Sequence, residues 1–276
     1  MADRGPARKA GVLGSPISHS RSPQLHLAAY RALGLTDWTY ERIECRAGEL
    51  AGIVSHLGPE WVGVSVTMPG KLEALEFASE RTVRAVAVGS ANTLVRTDTG
   101  WRADCTDVDG VTGALADLGL TDLSSGPAVV IGAGGTARPA LVALAELGAR
   151  GVSVVARDEG RAQGALGCGA AAGLEISYAP FAAIAELAQE ASVLISTVPA
   201  DALGEHIEAA AHASRVLDVI YHPWPTPLAT AVEQRGGAVV GGLSMLLNQA
   251  FGQVEQFTEM PAPRAEMAAA LNHAMQ

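Results

Sequence analysis

The segment Val129-Val-Ile-Gly-Ala-Gly-Gly-Thr-Ala-Arg138 constrains this chain more than any other. A short branched apolar run, 128–131, passes directly into a glycine turn, and a helix-forming stretch follows at once. A strand with no polar residue is buried on both faces, as in a parallel sheet covered by helices. Gly132 permits the tight turn, Gly134 lets the backbone approach a pyrophosphate, and Ala137 is small enough for close packing of helix on strand. Ala133, Gly135 and Thr136 complete the turn. The helix N-terminus offers N–H groups without intrahelical partners, and a positive dipole end, to phosphate. This strand–turn–helix order predicts a dinucleotide-binding unit.

The surrounding pattern extends that unit. Apolar strand candidates at 152–156, 174–178, 193–196, 215–219 and 238–240 alternate with helical stretches, which suits a doubly wound sheet. Upstream, a strand at 10–14 precedes a helix at 22–34, with Ser22 as its cap and Pro23 as its first residue. A strand at 38–43, a helix at 47–57, a strand at 61–66 and a helix from about residue 70 follow. A hairpin turns at Thr97-Asp-Thr-Gly100 between 92–95 and 101–103, and a helix spans 107–118. Helices at 244–258 and 263–275 exceed what the sheet requires. The expected fold is α/β with two domains. Residues 1–106 form an α/β substrate domain, residues 107–242 a Rossmann-type doubly wound dinucleotide domain, and the C-terminal helices of 243–276 return to the substrate domain. The length of 276 residues agrees, at roughly 150 residues per domain.

Composition excludes several function classes. Hydrophobic residues make up 49% and charged residues 17%, so a core can form and disorder is excluded. No apolar run approaches the roughly 18 residues of a membrane span, and the first ten residues hold no apolar signal core. A soluble, cytoplasmic protein is expected. A net charge of −10 without a basic stripe argues against nucleic acid and anionic membrane partners, and leaves a homodimer open. Cys45, Cys105 and Cys168 form neither a disulfide framework nor a metal pattern, so no metal is expected. The nineteen basic residues are seventeen arginines and two lysines. Lys9 falls in an expected disordered tail, whereas Lys71 ends the motif Val64-Ser-Val-Thr-Met-Pro-Gly-Lys71. Arginine keeps its proton in proteins while a lysine can be tuned to release one, which marks Lys71 as a candidate for proton transfer.

The second strand of the dinucleotide unit selects the cofactor. It ends in Val154-Val-Ala-Arg-Asp-Glu-Gly-Arg161. Arg157 and Arg161 would pair with the 2′-phosphate of NADP. Asp158 would either accept from the ribose hydroxyls of NAD or cap the following helix. NADP is favoured, and Asp158 leaves NAD open.

Further motifs follow in order: Gly14-Ser-Pro-Ile-Ser-His-Ser-Arg-Ser-Pro23, Val64 to Lys71, Ser90-Ala-Asn-Thr-Leu94, Cys105-Thr-Asp-Val-Asp-Gly110, Tyr221-His-Pro-Trp-Pro-Thr-Pro-Leu228 and Gly241-Gly-Leu-Ser-Met-Leu-Leu-Asn-Gln249. With the glycine turn, this set resembles the shikimate dehydrogenases over about 11–256. The resemblance implies reversible NADPH-dependent reduction of 3-dehydroshikimate to shikimate, a step of aromatic amino-acid biosynthesis on the chorismate pathway. It implies Lys71 and Asp107 as the catalytic pair. It implies Ser18 and Ser20 as carboxylate ligands, assisted by Thr67 and Tyr221, and Asn92 and Gln249 as partners of the ring hydroxyls. Thr197, Val198 and Gly242 join the glycine turn and 157–161 as cofactor contacts. Hydroxyl and amide side chains suit a polyhydroxylated acid independently, because they donate to a carboxylate without burying further charge. His19 and His26 read as structural.

The chain departs from the family pattern at three places, the first being Met68-Pro-Gly70, which leaves no bulky side chain before Lys71 where the family often has an aromatic. Cys105 stands where the family has Asn before the Thr-Asp pair, which would weaken support for Asp107 or add redox sensitivity to an exposed thiol. Ala156-Arg-Asp158 replaces the usual Asn-Arg-Thr. The alternatives are a quinate or dual quinate/shikimate dehydrogenase using NAD and, more distantly, a non-catalytic ligand-sensing module. A methylene-folate dehydrogenase shares the two-domain plan but has no use for the Ser18/Ser20 turn.

Overall fold

Two strand patterns give two different sheets. The computed structural model describes residues 7–273, and these divide into two compact units: 7–106 with 249–273, and 107–248.

The first unit runs β1 (Lys9–Gly14), α1 (Ser22–Ala32), β2 (Thr39–Glu44), α2 (Leu50–Ser55), β3 (Trp61–Val66), α3 (Lys71–Phe77), β4 (Glu80–Arg81), α4 (Val83–Val88), β5 (Thr93–Thr97) and β6 (Gly100–Asp104). Its mixed sheet has the order β2-β1-β3-β5-β6-β4. β1 lies parallel to β2 and β3, and β5 pairs antiparallel with β3 and β6. Thr97 faces Gly100, so Asp98 and Thr99 form the two-residue hairpin loop. Leu13, Val64, Val66, Leu94 and Ala103 build the core beneath Leu50, Val54 and Ala74. β1 and β3 are buried over nearly their whole length, so both faces of these central strands are covered.

The second unit contains α5 (Asp107–Asp117), β7 (Ala128–Ile131), α6 (Ala137–Glu146), β8 (Gly151–Val155), α7 (Glu159–Ala171), β9 (Glu175–Ala179), α8 (Ile184–Glu190), β10 (Val193–Ser196), α9 (Ile207–Ala210), β11 (Arg215–Asp218), α10 (Pro227–Gln234) and β12 (Ala238–Gly241). Its six strands are all parallel, in the order β12-β11-β10-β7-β8-β9. β7 and β10 are buried along their whole length, as the apolar runs Ala128–Ile131 and Val193 to Ile195 require, and Ser196 is buried with them. The strand order reverses between β7 and β10, and a ligand site is expected beyond their carboxyl ends.

The chain closes with α11 (Gly242–Thr258) and α12 (Arg264–His273). The division between the units falls inside α11, between Asn248 and Gln249. Within the first unit α12 packs on α1. Gln253 of α11 donates to the Asn92 carbonyl at 3.1 Å, so the terminal helices do return to the substrate unit.

Three local expectations are corrected. Lys9 is not in a tail: it opens β1 and lies 3.7 Å from Glu41. Ser22 does not cap α1. Arg21 occupies that position without a side-chain bond, because Ser20 Oγ already accepts the Ser22 N–H at 3.3 Å. The short β4 and α4 had no expected counterpart. α4 is held at its ends, where Thr82 accepts from the Ala85 N–H and Gly89 adopts a left-handed conformation. Six residues are too few for a periodic signal.

Candidate active site

At the carboxyl ends of β1 and β3 two loops interlock. The Ser15 N–H donates to the Met68 carbonyl at 3.0 Å, and the Thr67 N–H donates to the Leu13 carbonyl at 2.8 Å. Gly14 makes this approach feasible: a Cβ there would collide with Thr67 Cγ2 and lie 2.9 Å from the Met68 carbonyl. The first loop carries Ser18, exposed, and Ser20, half-buried. The second carries Thr67 and leads into α3, whose first residue is Lys71.

The segment before β5 is tied to the same place. The Ala91 N–H donates to the Lys71 carbonyl at 2.9 Å, and the Val66 N–H donates to the Asn92 carbonyl at 2.7 Å. Asn92 is therefore no mere strand-edge residue, and it is 3% exposed. Its Oδ1 accepts from the Thr106 N–H at 2.8 Å and from the Thr93 hydroxyl at 2.9 Å. Its Nδ2 donates to Thr106 Oγ1 at 3.0 Å and to Gln249 Oε1 at 3.2 Å. Gln249 is buried with it.

Sequence reasoning missed the layer below. Gln253 donates to Thr93 Oγ1 at 3.0 Å and accepts from the Ser65 hydroxyl at 2.7 Å. Ser65 in turn accepts from the Tyr40 hydroxyl at 2.7 Å. His26 stacks on Tyr40 with centroids 4.0 Å apart, and its Nε2 lies 3.4 Å from Gln253 Oε1. Burial lowers the His26 imidazole to about 3, against the raising hydrogen bond from Gln253, so it is neutral at physiological pH. Asp104 anchors the other flank. Burial raises its carboxyl, but the paired hydrogen bonds of Arg84 at 2.7 and 2.5 Å, with those of Thr82 and the Cys105 N–H, prevail and lower it to about 2. Cys105 is fully buried, so the condition for a redox-sensitive exposed thiol is not met.

In the second unit the glycine turn follows β7 as its sequence requires. Gly132 has φ +103°, and a Cβ there would collide with Thr197 Oγ1 and lie 2.9 Å from Val198 Cγ1. Thr197 donates both its N–H and its hydroxyl to the Ile131 carbonyl, at 2.8 and 2.9 Å, which locks the two loops of the switch point together. Gly134 faces open space, and Thr136 caps α6 without a side-chain bond. Ala137 already donates its N–H to the Gly134 carbonyl at 3.1 Å, Ala140 donates to the Thr136 carbonyl at 3.3 Å and Pro139 has no N–H, so at this end of α6 the Arg138 N–H is the one left for another acceptor among the described residues. A cleft of about 200 Å³ opens here, lined by Gly132, Ala133, Gly134, Ala156, Arg157, Asp158, Arg161, Phe181 and Val198. Asp158 Oδ1 accepts the Arg161 N–H at 2.7 Å, so its carboxylate caps α7, one of its two expected roles. Phe181, unforeseen, brings an aromatic face to the cleft, with the His206 ring edge-on at 5.4 Å.

Asp107 opens α5 in this unit and is buried. Tyr221 is 38% exposed on the loop after β11. That loop is braced by Asp218, which accepts from the Thr226 hydroxyl at 2.7 Å and from the Ile220 N–H at 3.2 Å. Burial raises the Asp218 carboxyl, against those two bonds. Gly242 begins α11 against the Val219 carbonyl, where no side chain fits. Among the described residues no cluster of His, Cys, Asp and Glu could hold a metal ion, and no helix is long and apolar enough to cross a membrane.

Known proteins share this arrangement. The shikimate dehydrogenase substrate binding domain matches residues 12–94, shikimate / quinate 5-dehydrogenase matches residues 114–217, and the shikimate 5′-dehydrogenase C-terminal domain matches residues 242–271. The shikimate 5-dehydrogenase structure from Mycobacterium fortuitum is 61% identical, with 95% of this chain and 97% of that chain covered and a TM-score of 0.88. The shikimate dehydrogenase structure from Mycobacterium tuberculosis is 57% identical, with 96% and 99% covered and a TM-score of 0.91. The shikimate dehydrogenase (NADP(+)) of Mesorhizobium japonicum is 35% identical over 272 residues, 95% of each chain. This chain belongs to the shikimate dehydrogenase family.

Proposed function

We propose that the protein catalyses the reversible, NADPH-dependent reduction of 3-dehydroshikimate to shikimate. The observation that carries this reading is the interlocked pair of loops after β1 and β3. It gathers the hydroxyls of Ser18, Ser20 and Thr67 and the amine of Lys71 at one end of a sheet, beside the buried Asn92–Gln249 pair. A small acid with several ring hydroxyls matches that donor set. Ser18, Ser20 and Thr67, with Tyr221, donate to the carboxylate. Asn92 and Gln249 exchange their mutual 3.2 Å bond for bonds to the ring hydroxyls. Reduction adds a hydride to the carbonyl carbon and a proton to its oxygen. NADPH, when bound, supplies the hydride. Lys71 supplies the proton, and Asp107 orients the ammonium group and tunes its acidity. In oxidation Lys71 takes the hydroxyl proton.

The residues of the second-unit cleft suit NADP. Ala133 to Ala137 and the α6 N-terminus hold the pyrophosphate, with Thr197, Val198 and Gly242 completing the contacts. Arg157 and Arg161 face the 2′-phosphate, while Asp158 is turned to its own helix. Replacing both arginines by alanine is expected to lower kcat/KM with NADPH about 100-fold and to leave the rate with NADH within about twofold. Initial rates of 3-dehydroshikimate reduction, with shikimate identified as the product, provide the check. An unchanged NADPH preference would overturn the cofactor assignment, and no turnover from folded protein would overturn the activity.

A further inference from the structure

The substrate loop is held from the edge strand β2 by a residue that no part of the proposed reaction uses. Arg42 Nε and Nη2 both donate to the Ser20 carbonyl, at 3.1 and 2.7 Å. Two residues along the same strand, and so on the same face, Glu44 Oε1 accepts the Ser15 hydroxyl at 2.6 Å. β2 thus grips the loop at both ends. Between the grips Ile17 is buried, and Ser18 and His19 are exposed.

The chemistry of the Arg42 contact is specific. A planar guanidinium placing two N–H groups on one carbonyl oxygen holds that oxygen more firmly than a single donor does. The held carbonyl restrains the backbone that carries the Ser20 side chain. Ser20 Oγ accepts the Ser22 N–H at 3.3 Å, and its own proton finds no acceptor among the described residues. The hydroxyl is therefore oriented as a donor toward an outside acceptor. Arg42 is exposed and forms no ion pair among the described residues. Its fork is directed at Ser20 and at no carboxylate.

We infer that Arg42 is a positioning residue for the substrate carboxylate, acting through the Ser20 peptide to hold the Ser20 hydroxyl in its donating orientation. The inference rests on the reading of Ser18 and Ser20 as carboxylate donors. It deepens that reading by assigning the side chain that sets their geometry.

The test is a cycle of Arg42→Ala, Ser20→Ala and the double variant, with Arg42→Lys as the conservative replacement, assayed for shikimate oxidation with NADP. Arg42→Ala is expected to raise KM for shikimate about tenfold, with kcat and KM for NADP within about twofold. Arg42→Lys, with one compact ammonium group in place of a fork, restores part of the loss. In the Ser20→Ala background the same Arg42 replacement adds less than about twofold, because its effect passes through the missing hydroxyl. If Ser20→Ala raises KM and Arg42→Ala does not, the positioning role is wrong while the carboxylate reading stands. Equal effects of Arg42→Ala in both backgrounds also overturn it, since Arg42 then acts without Ser20. If Ser20→Ala leaves KM unchanged, the carboxylate reading fails and the role of Arg42 falls with it.

Discussion

Replacing Lys71 by alanine is expected to lower kcat for 3-dehydroshikimate reduction by about three orders of magnitude, with KM changed no more than a few-fold. The amine is assigned a role only as charge develops on the carbonyl oxygen, so its loss should weaken the transition state far more than the bound substrate. Position supports this. Lys71 opens α3 directly after the Thr67–Gly70 loop, and its carbonyl is pinned by the Ala91 N–H at 2.9 Å. Its backbone therefore does not depend on the side chain. Arginine at this position separates charge from proton transfer, because it keeps the cation and cannot release a proton. Lys71→Arg should stay within about tenfold of the alanine variant if proton transfer dominates. Steady-state rates across pH for both variants provide the check. Turnover within about tenfold of wild type for Lys71→Ala would remove the residue from the chemistry.

Gly132→Ala should be the most damaging single-methyl change in the cofactor unit. The residue combines a left-handed φ of +103° with a Cβ position already filled by Thr197 Oγ1, and Val198 Cγ1 lies 2.9 Å away. Thr197 cannot yield cheaply, since its N–H and hydroxyl both serve the Ile131 carbonyl at 2.8 and 2.9 Å. The expected cost is about 2–4 kcal/mol of stability, from strain at a positive φ together with overpacking. KM for NADP should rise at least about tenfold as the phosphate-binding turn is displaced. Binding of the acid, assigned mainly to residues of the first unit, should change little. Urea unfolding and separate titrations of cofactor and acid measure the three quantities. Wild-type stability together with wild-type NADP affinity would contradict the packing described for this turn.

Legibility in the sequence differed by element. The doubly wound unit was readable because Ala128–Ile131 is an unbroken apolar strand followed by the glycine turn, and Val193 to Ile195 repeats the apolar run. The hairpin at 97–100 was readable from its turn residues. By contrast, α4 has six residues and no periodic signal, although its Thr82 cap and Gly89 terminator mark it in hindsight. Arg84 on that helix secures Asp104, a pairing across 20 residues that no local pattern encodes. Lys9 looked like tail because its neighbours are polar, yet strand pairing with residues of β2 and β3 orders it.

The candidate site shows the same division. Ser18, Ser20, Thr67 and Lys71 stood out as polar residues at strand ends, and the interlocked loops bring their segments together. Asn92 and Gln249 carried meaning only through the family pattern, since 157 residues separate a pair joined by a 3.2 Å hydrogen bond. His26 was read as structural, and it is buried and stacked on Tyr40, whereas Ser65, Gln253 and Arg42 stayed silent because each bonds a partner distant in sequence. Asp158 was undecided between ribose and helix, and its 2.7 Å bond to the Arg161 N–H places it on the helix.

The most direct measurement is the initial rate of oxidation of shikimate and of quinate, each with NADP and with NAD, followed by nicotinamide absorbance. Shikimate with NADP should give the highest kcat/KM of the four pairs, by at least about tenfold, because Arg157 and Arg161 line the cleft, where they are proposed to meet the 2′-phosphate, and Asp158 is engaged as a cap. A preference for quinate or for NAD would contradict the account, and an NAD preference would mean that Asp158 leaves its helix for the ribose.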